Sequence, residues 1–278
     1  MKQITKICLI AAAVAAVLGL LGVGVGIAMG VTKEDVLDSA HVEIPREECW
    51  EDTGEAHAFP EETQEAPENG MLFGNASVRK FKLDMGAGEV QIHTYEGEKI
   101  LVTGDTGQLT CEENGEEVSL KYHRKHYTEP MELQVYLPAW GLTEIDLEFG
   151  AADVYIEALE GEDISISIGA GNLEADSIKA ARSAELEVGT GAISVGYLEG
   201  TDLDFDCGIG SLEMVLQGKQ SDYTYTLDCG VGTINLGRDS YSGLGRETRI
   251  DTSAQSGIAK YVEADCGIGE ITIEFEEE

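Results

Sequence analysis

Three regimes of apolar and polar spacing follow one another along the chain. From Ile7 to Val31 no side chain is charged, and the run is almost entirely apolar. About 20 such residues let a helix cross the hydrocarbon core of a bilayer. The pattern therefore predicts one transmembrane helix over 7–31, behind a short tail, 1–6. A cleaved secretory signal is the alternative, since Ala28-Met29-Gly30 supplies small residues at a cleavage position. The apolar stretch of such signals is usually only about 7–15 residues. Residues 32–70 show no sustained periodicity. They hold three of the five prolines (Pro45, Pro60 and Pro67) and acidic runs such as Glu47-Glu48-Cys49-Trp50-Glu51-Asp52. So much charge with so little apolar surface predicts an extended acidic stalk.

From residue 71 the apolar positions alternate with polar ones, the period of a strand with one buried face. Phe81, Leu83 and Met85 share one side, as do Val90 and Ile92. Asn114-Gly115 lies between two such runs and predicts a tight hairpin. Met131 to Pro138 reads as another strand, ending at its proline.

A recurring unit then appears: apolar, acidic or polar, apolar, Gly-x-Gly, polar, apolar. Its first glycines are Gly86, Gly150, Gly169, Gly189, Gly208, Gly230 and Gly267. From Gly150 to Gly230 the steps are 19, 20, 19 and 22 residues. A unit this short cannot bury its own apolar face, so neighbouring units must stack. The residue before each first glycine should point inward: Met85, Phe149, Ile168, Val188, Cys207, Cys229 and Cys266. The residue four positions after it should do the same: Val90, Val154, Leu173, Ile193, Leu212, Ile234 and Ile271. A further inward position recurs as Leu159, Ile178 and Leu198. The outward position two before the glycine is Asp84, Glu148, Ser167, Glu187, Asp206, Asp228 or Asp265. Gly-x-Gly suits a bend where positive φ or close backbone stacking is needed. The expected fold is all-β, a β-solenoid or β-roll-like stack with two or three short strands per turn. The domain would span 71–278.

Charge constrains partners and topology. The net charge is −35, and Lys2 and Lys6 are the only charged side chains before Lys33. Basic residues on the short side place the N-terminus in the cytoplasm, and the remainder outside the cell. An acidic surface repels nucleic acid and anionic headgroups. Gly22, Gly26 and Gly30, four residues apart, permit close contact between two membrane helices and hence self-association.

Little in the sequence points to catalysis. The Gly-x-Gly units lack the Lys-Ser/Thr of a phosphate loop. His41, His57, His93, His123 and His126 are scattered. The basic cluster His123-Arg124-Lys125-His126 could bind an anionic polymer, but a solvated strand end or loop is the simpler reading. No Cys-x-x-Cys occurs, so zinc is unsupported. Outside the membrane run stand Cys49, Cys111, Cys207, Cys229 and Cys266, an odd number. The last three share one inward phase and read as small buried hydrophobes. Bridging them would require Cβ atoms about 3.8 Å apart, which parallel Cβ vectors disfavour. The acidic column could attract calcium, but the calcium-binding nonapeptide is absent and solvated acid is the simpler reading. No catalytic, cofactor or metal residue is assigned.

Leu137-Pro138, then Ile145-Asp146-Leu147-Glu148-Phe149-Gly150-Ala151-Ala152-Asp153-Val154-Tyr155-Ile156, followed by Gly-Ala-Gly and Gly-Thr-Gly, carry a resemblance. The chain resembles the bacterial "putative adhesin" β-strand-repeat family over about residues 78–275. It departs from that pattern where Ala152 replaces the second glycine, and where three units place Cys inward. The resemblance implies an N-terminal membrane helix, an outer β-repeat domain and a non-catalytic surface role toward an envelope polymer or protein; it implies no catalytic residues. Two other roles compete: an accessory in envelope sensing that acts through a membrane partner, and a carbohydrate-active β-helix enzyme.

Overall fold

The computed structural model describes residues 70–122, 131–242, 246–250 and 260–276. The membrane helix expected at 7–31, its Gly22/Gly26/Gly30 face and most of the expected stalk lie outside them. Among the described residues no helix is long and apolar enough to cross a membrane.

The described chain is all-β. The strands are β1 (Met71–Phe73), β2 (Lys80–Tyr95), β3 (Ile100–Gly104), β4 (Leu109–Asn114), β5 (Glu117–Tyr122) and β6 (Glu132–Pro138). They continue with β7 (Glu144–Glu199), β8 (Asp202–Leu216), β9 (Tyr223–Leu236), β10 (Asp239–Ser242), β11 (Arg246–Ile250) and β12 (Lys260–Phe275). Instead of two or three short strands per turn, β7 is one strand of 56 residues. It runs through the bends at Gly150, Gly169 and Gly189 without a break. The Gly-x-Gly unit turns the strand while keeping it paired.

All repeat-bearing strands that pair with one another do so in parallel and in phase. Phe149 stands opposite Met85, Val188 opposite Cys207, and Cys266 opposite both Cys207 and Cys229. The alternation read from the sequence therefore holds in space, and every predicted inward position named above is buried. One main core results, with Phe81, Leu83, Ile166, Leu186 and Phe205 at 0–1% exposure, beside a small separate cluster of Tyr95, Leu101 and Tyr136.

The order of the stack departs from the order of the chain. The sheet runs β2-β7-β8-β12-β9, so the unit of Gly267 sits between those of Gly208 and Gly230. The 22-residue step from Gly208 to Gly230 is thus not a step to a spatial neighbour. The chain goes from β8 to β9, leaves a gap one strand wide, and fills it with β12. Glycine makes this stacking possible. A Cβ on Gly208 would lie 2.6 Å from the Gly189 carbonyl oxygen, and one on Gly267 would lie 2.6 Å from that of Gly208. Gly210, second in its unit, has φ +148, a conformation that L side chains rarely adopt. Ala152, the sequence's exception, faces Gly88 and takes no positive φ.

Further strands, antiparallel in their outermost pairings, flank both ends. β5, extended by β4, pairs with the first half of β2 in parallel, and β6 pairs with the second half before handing over to β3 and β1. The Asn114-Gly115 hairpin joins β4 to β5 as the sequence predicts, with Gly115 at φ +65. At the other end β10 and β11 both lie antiparallel on β9. Such caps cover the strand edges that an open stack would present to other chains.

Candidate functional site

The outer face before each bend changes character along the stack. At the β2 end two of its carboxylates have cationic partners. Lys80 pairs with Glu144, and Lys82 Nζ lies 3.3 Å from Asp146. One unit on, Arg182 Nε donates to Asp163 at 2.6 Å, and Ser165 and Ser167 dilute the charge. Ser167 Oγ donates to Glu187 at 3.1 Å.

Toward the β9 end acidic side chains accumulate on this face. Glu187, Asp206, Asp265 and Asp228 form one in-register row, and Glu185, Asp204 and Glu263 form a second. All seven side chains are exposed. Among the described side chains no Lys or Arg pairs with them. Three of them, Asp204, Asp206 and Asp265, are weaker acids than usual, through burial first and neighbouring carboxylates second. Partial burial between strands, then Glu263 and Glu185, raise Asp204 to about 6. Partial burial, then Asp228 and Asp206, raise Asp265 to about 6. Asp206 is also raised, by burial and by Glu187 and Glu185.

The middle residue of Gly-x-Gly changes over the same strands. It is small in the first units: Ala87, Ala151, Ala170 and Thr190. It then becomes Ile209, Ile268 and Val231, which stand in register across β8, β12 and β9. Their exposures are 43%, 50% and 57%. Alanine satisfies this bend elsewhere, so folding does not require three large apolar side chains on the surface. The two features coincide: an apolar ridge stands beside the acidic rows.

Behind the ridge, Cys207, Cys266 and Cys229 form a column with Cys266 in the middle. All three are buried free thiols, as the small-hydrophobe reading anticipates. Burial pushes the Cys266 thiol up to about 12, and the two neighbouring thiols add to it. Such thiols are poor nucleophiles. Cys111 is a half-buried free thiol packed against the core. Cys49, His41, His57, His123 and His126 lie outside the described residues. Among the described residues no group of three or more His, Cys, Asp or Glu could hold a metal ion.

His93, which appears isolated in the sequence, is instead part of a packed outer layer. It is 6% exposed, stacks on Tyr136 with ring centroids 5.1 Å apart, and bonds to Glu157 through Nδ1 at 2.8 Å. Tyr155 packs edge-on against it and donates to Asp176 at 2.8 Å. Burial, with help from Asp176, raises the Tyr155 phenol to about 12. Two periods of alternation meet here: His93 faces outward, yet β6 and β7 bring aromatic neighbours over it. Only the strand pairing could have revealed that.

No protein-family model matches the chain, and no curated protein matches it. Among solved structures it is similar to one described as a "putative cell adhesion protein" from Clostridium sporogenes ATCC 15579. The identity is 16%, the match covers 75% of this chain and 98% of that one, and the TM-score is 0.39.

Proposed function

We propose that this protein is a non-catalytic, adhesin-like interaction module, held at the outer face of the cell membrane by a single-pass helix over 7–31. Its stacked parallel units are read as one solenoid-type winding, a reading supported by the glycine-to-glycine contacts. Its working surface is the ridge of Ile209, Ile268 and Val231 with the two acidic rows beside it. That ridge carries the proposal: it exposes apolar area where the fold needs none, next to carboxylates that no described Lys or Arg side chain pairs with. A partner with apolar side chains flanked by Lys or Arg fits both features. Such a partner would relieve the acidic repulsion on binding and be selected by charge. The anchor is supported by the uncharged run from Ile7 to Val31 and by Lys2 and Lys6 before it.

The test uses the detergent-solubilised full chain and a synthetic amphipathic Leu/Lys peptide in a calorimeter. The wild type should bind it at low salt and lose it at high salt. Ile268→Ser and Asp265→Asn should each weaken binding several-fold, while a Leu/Glu peptide of equal length should not bind. Unchanged binding in both variants would exclude the ridge. Protease shaving of intact cells tests the anchor and its orientation: a domain that resists until lysis is on the wrong side for this reading.

A further inference from the structure

Far from the ridge in sheet order, at the β1–β3 end, three loops enclose a cavity of about 150 Å³. Phe73, Val78 and Ile100 form its apolar floor, and Ile100 is only 1% exposed. One wall is Trp140, 62% exposed and the most exposed large apolar side chain among the described residues. Three polar side chains complete the lining: Asn75, Arg79 and Glu98.

These groups are held in place by the local backbone. Gly141 turns the chain just after Trp140 with φ +98, and a Cβ there would stand 3.4 Å from Arg79 Nη1. The Trp140-Gly141 turn therefore sits directly beside the guanidinium. Arg79 Nη1 donates to the carbonyls of Val78 at 2.9 Å and Ala76 at 3.1 Å. That fixes one arm of the guanidinium and leaves its other N–H groups directed elsewhere. Asn75 Oδ1 accepts from the Ser77 N–H at 2.9 Å and from the Ser77 hydroxyl. The donor end of that amide is what remains for a ligand.

The chemistry of the lining selects an occupant. An open indole packs well against the C–H face of a sugar ring, because it combines a large apolar surface with a preferred stacking geometry. An amide, a guanidinium and a carboxylate together supply both donors and acceptors, as a set of hydroxyls requires. A cavity of about 150 Å³ is well above the roughly 10–15 Å³ that a single water needs, and its open Trp140 side lets one sugar ring enter with the rest of a chain outside. Glu98 and the chain's net charge of −35 disfavour anionic ligands. The single cation, Arg79, is already partly engaged. We propose that this cavity binds one unit of a neutral saccharide, with its ring on Trp140 and its hydroxyls bonded to Asn75, Arg79 and Glu98. The ridge plays no part in this site.

The test uses the detergent-solubilised full chain carrying Trp50→Phe, so that Trp140 is the remaining tryptophan and reports alone. Cellotetraose, a neutral β-linked tetrasaccharide, should shift its fluorescence saturably, with half-saturation at roughly millimolar concentration for so small a contact. Equilibrium dialysis with end-labelled cellotetraose should show Trp140→Ala weakened about tenfold or more and Glu98→Gln weakened about fivefold. Both variants should keep the wild-type melting temperature, since Trp140 and Glu98 are exposed. Both should also keep the ridge's affinity for the Leu/Lys peptide, which separates failure here from failure of the ridge. No saturable signal at about ten times the expected half-saturation would overturn the proposal. Wild-type dialysis binding in both variants, or equal binding of an oligogalacturonate, would also overturn it.

Discussion

Asp265 stands between Asp206 and Asp228 in the outer row, and replacing it with Asn removes the central charge while nearly conserving shape. Neighbouring strands are about 4.8 Å apart. Two unit charges at that distance in water repel by about 0.9 kcal/mol. Two neighbours make that about 1.7 kcal/mol at low salt. At physiological ionic strength the Debye length is about 8 Å, which roughly halves the figure to about 1 kcal/mol. The side chain is exposed, so this screened value, and not its raised pKa, sets the scale. For a chain of this size about 1 kcal/mol corresponds to a melting shift of about 2–4 °C. The sign in pH follows from the direction of the shift. Asp265 is raised from 3.8 to about 6, so the folded state binds protons more readily than the unfolded chain. Its contribution is favourable below the unfolded value and is lost as pH rises through about 6. Asp265→Asn should therefore melt higher than wild type near neutral pH. The advantage should shrink in high salt and vanish below about pH 4, where Asp265 itself is protonated in the folded wild type. Differential scanning calorimetry across pH and salt is the assay. A variant that melts at or below the wild-type temperature at neutral pH, or whose advantage is unchanged in acid, refutes the account.

Two further predictions concern the inside of the stack. Gly208→Val should destabilise by at least about 1–3 kcal/mol, the usual cost of overpacking, because its Cβ would lie 2.6 Å from the Gly189 carbonyl oxygen; urea denaturation reads this, and a neutral result would refute the backbone stacking. Alkylation mapped by mass spectrometry at pH 8 should leave Cys207, Cys229 and Cys266 unmodified in the native protein and modified in denaturant. Rapid native labelling of Cys266 would contradict its burial at 3% exposure.

The repeat was legible in the sequence because each link is short-range. Alternation places Met85, Phe149 and Cys266 inward from their own neighbours alone, and Asn114-Gly115 needs only two residues to set its hairpin. Strand order is a long-range property. The 22-residue step before Gly230 differs from its predecessors by too little to announce a gap one strand wide, and only the register of Cys266 between Cys207 and Cys229 reveals it. The candidate site depended on the same fact. In chain order Ile209, Val231 and Ile268 are separated by 22 and 37 residues; in space they form one ridge because β12 lies in the middle. The cavity at Trp140 was hidden for another reason: its walls come from three loops that carry no periodic signal.

The placement of β12 also governs when the fold can be completed. Units along β2, β7 and β8 can zip together in the order of synthesis, each on the edge left by the last. β9 cannot join that edge, since its neighbour in the sheet has yet to be made. Until residues 260–275 are available, β8 presents a bare row of N–H and C=O groups shaped for a parallel strand of this repeat. Whatever supplies such a strand first, the chain itself or a second copy of it, takes the place. The last described strand therefore acts as a keystone, and strand exchange between copies is the characteristic error of this topology.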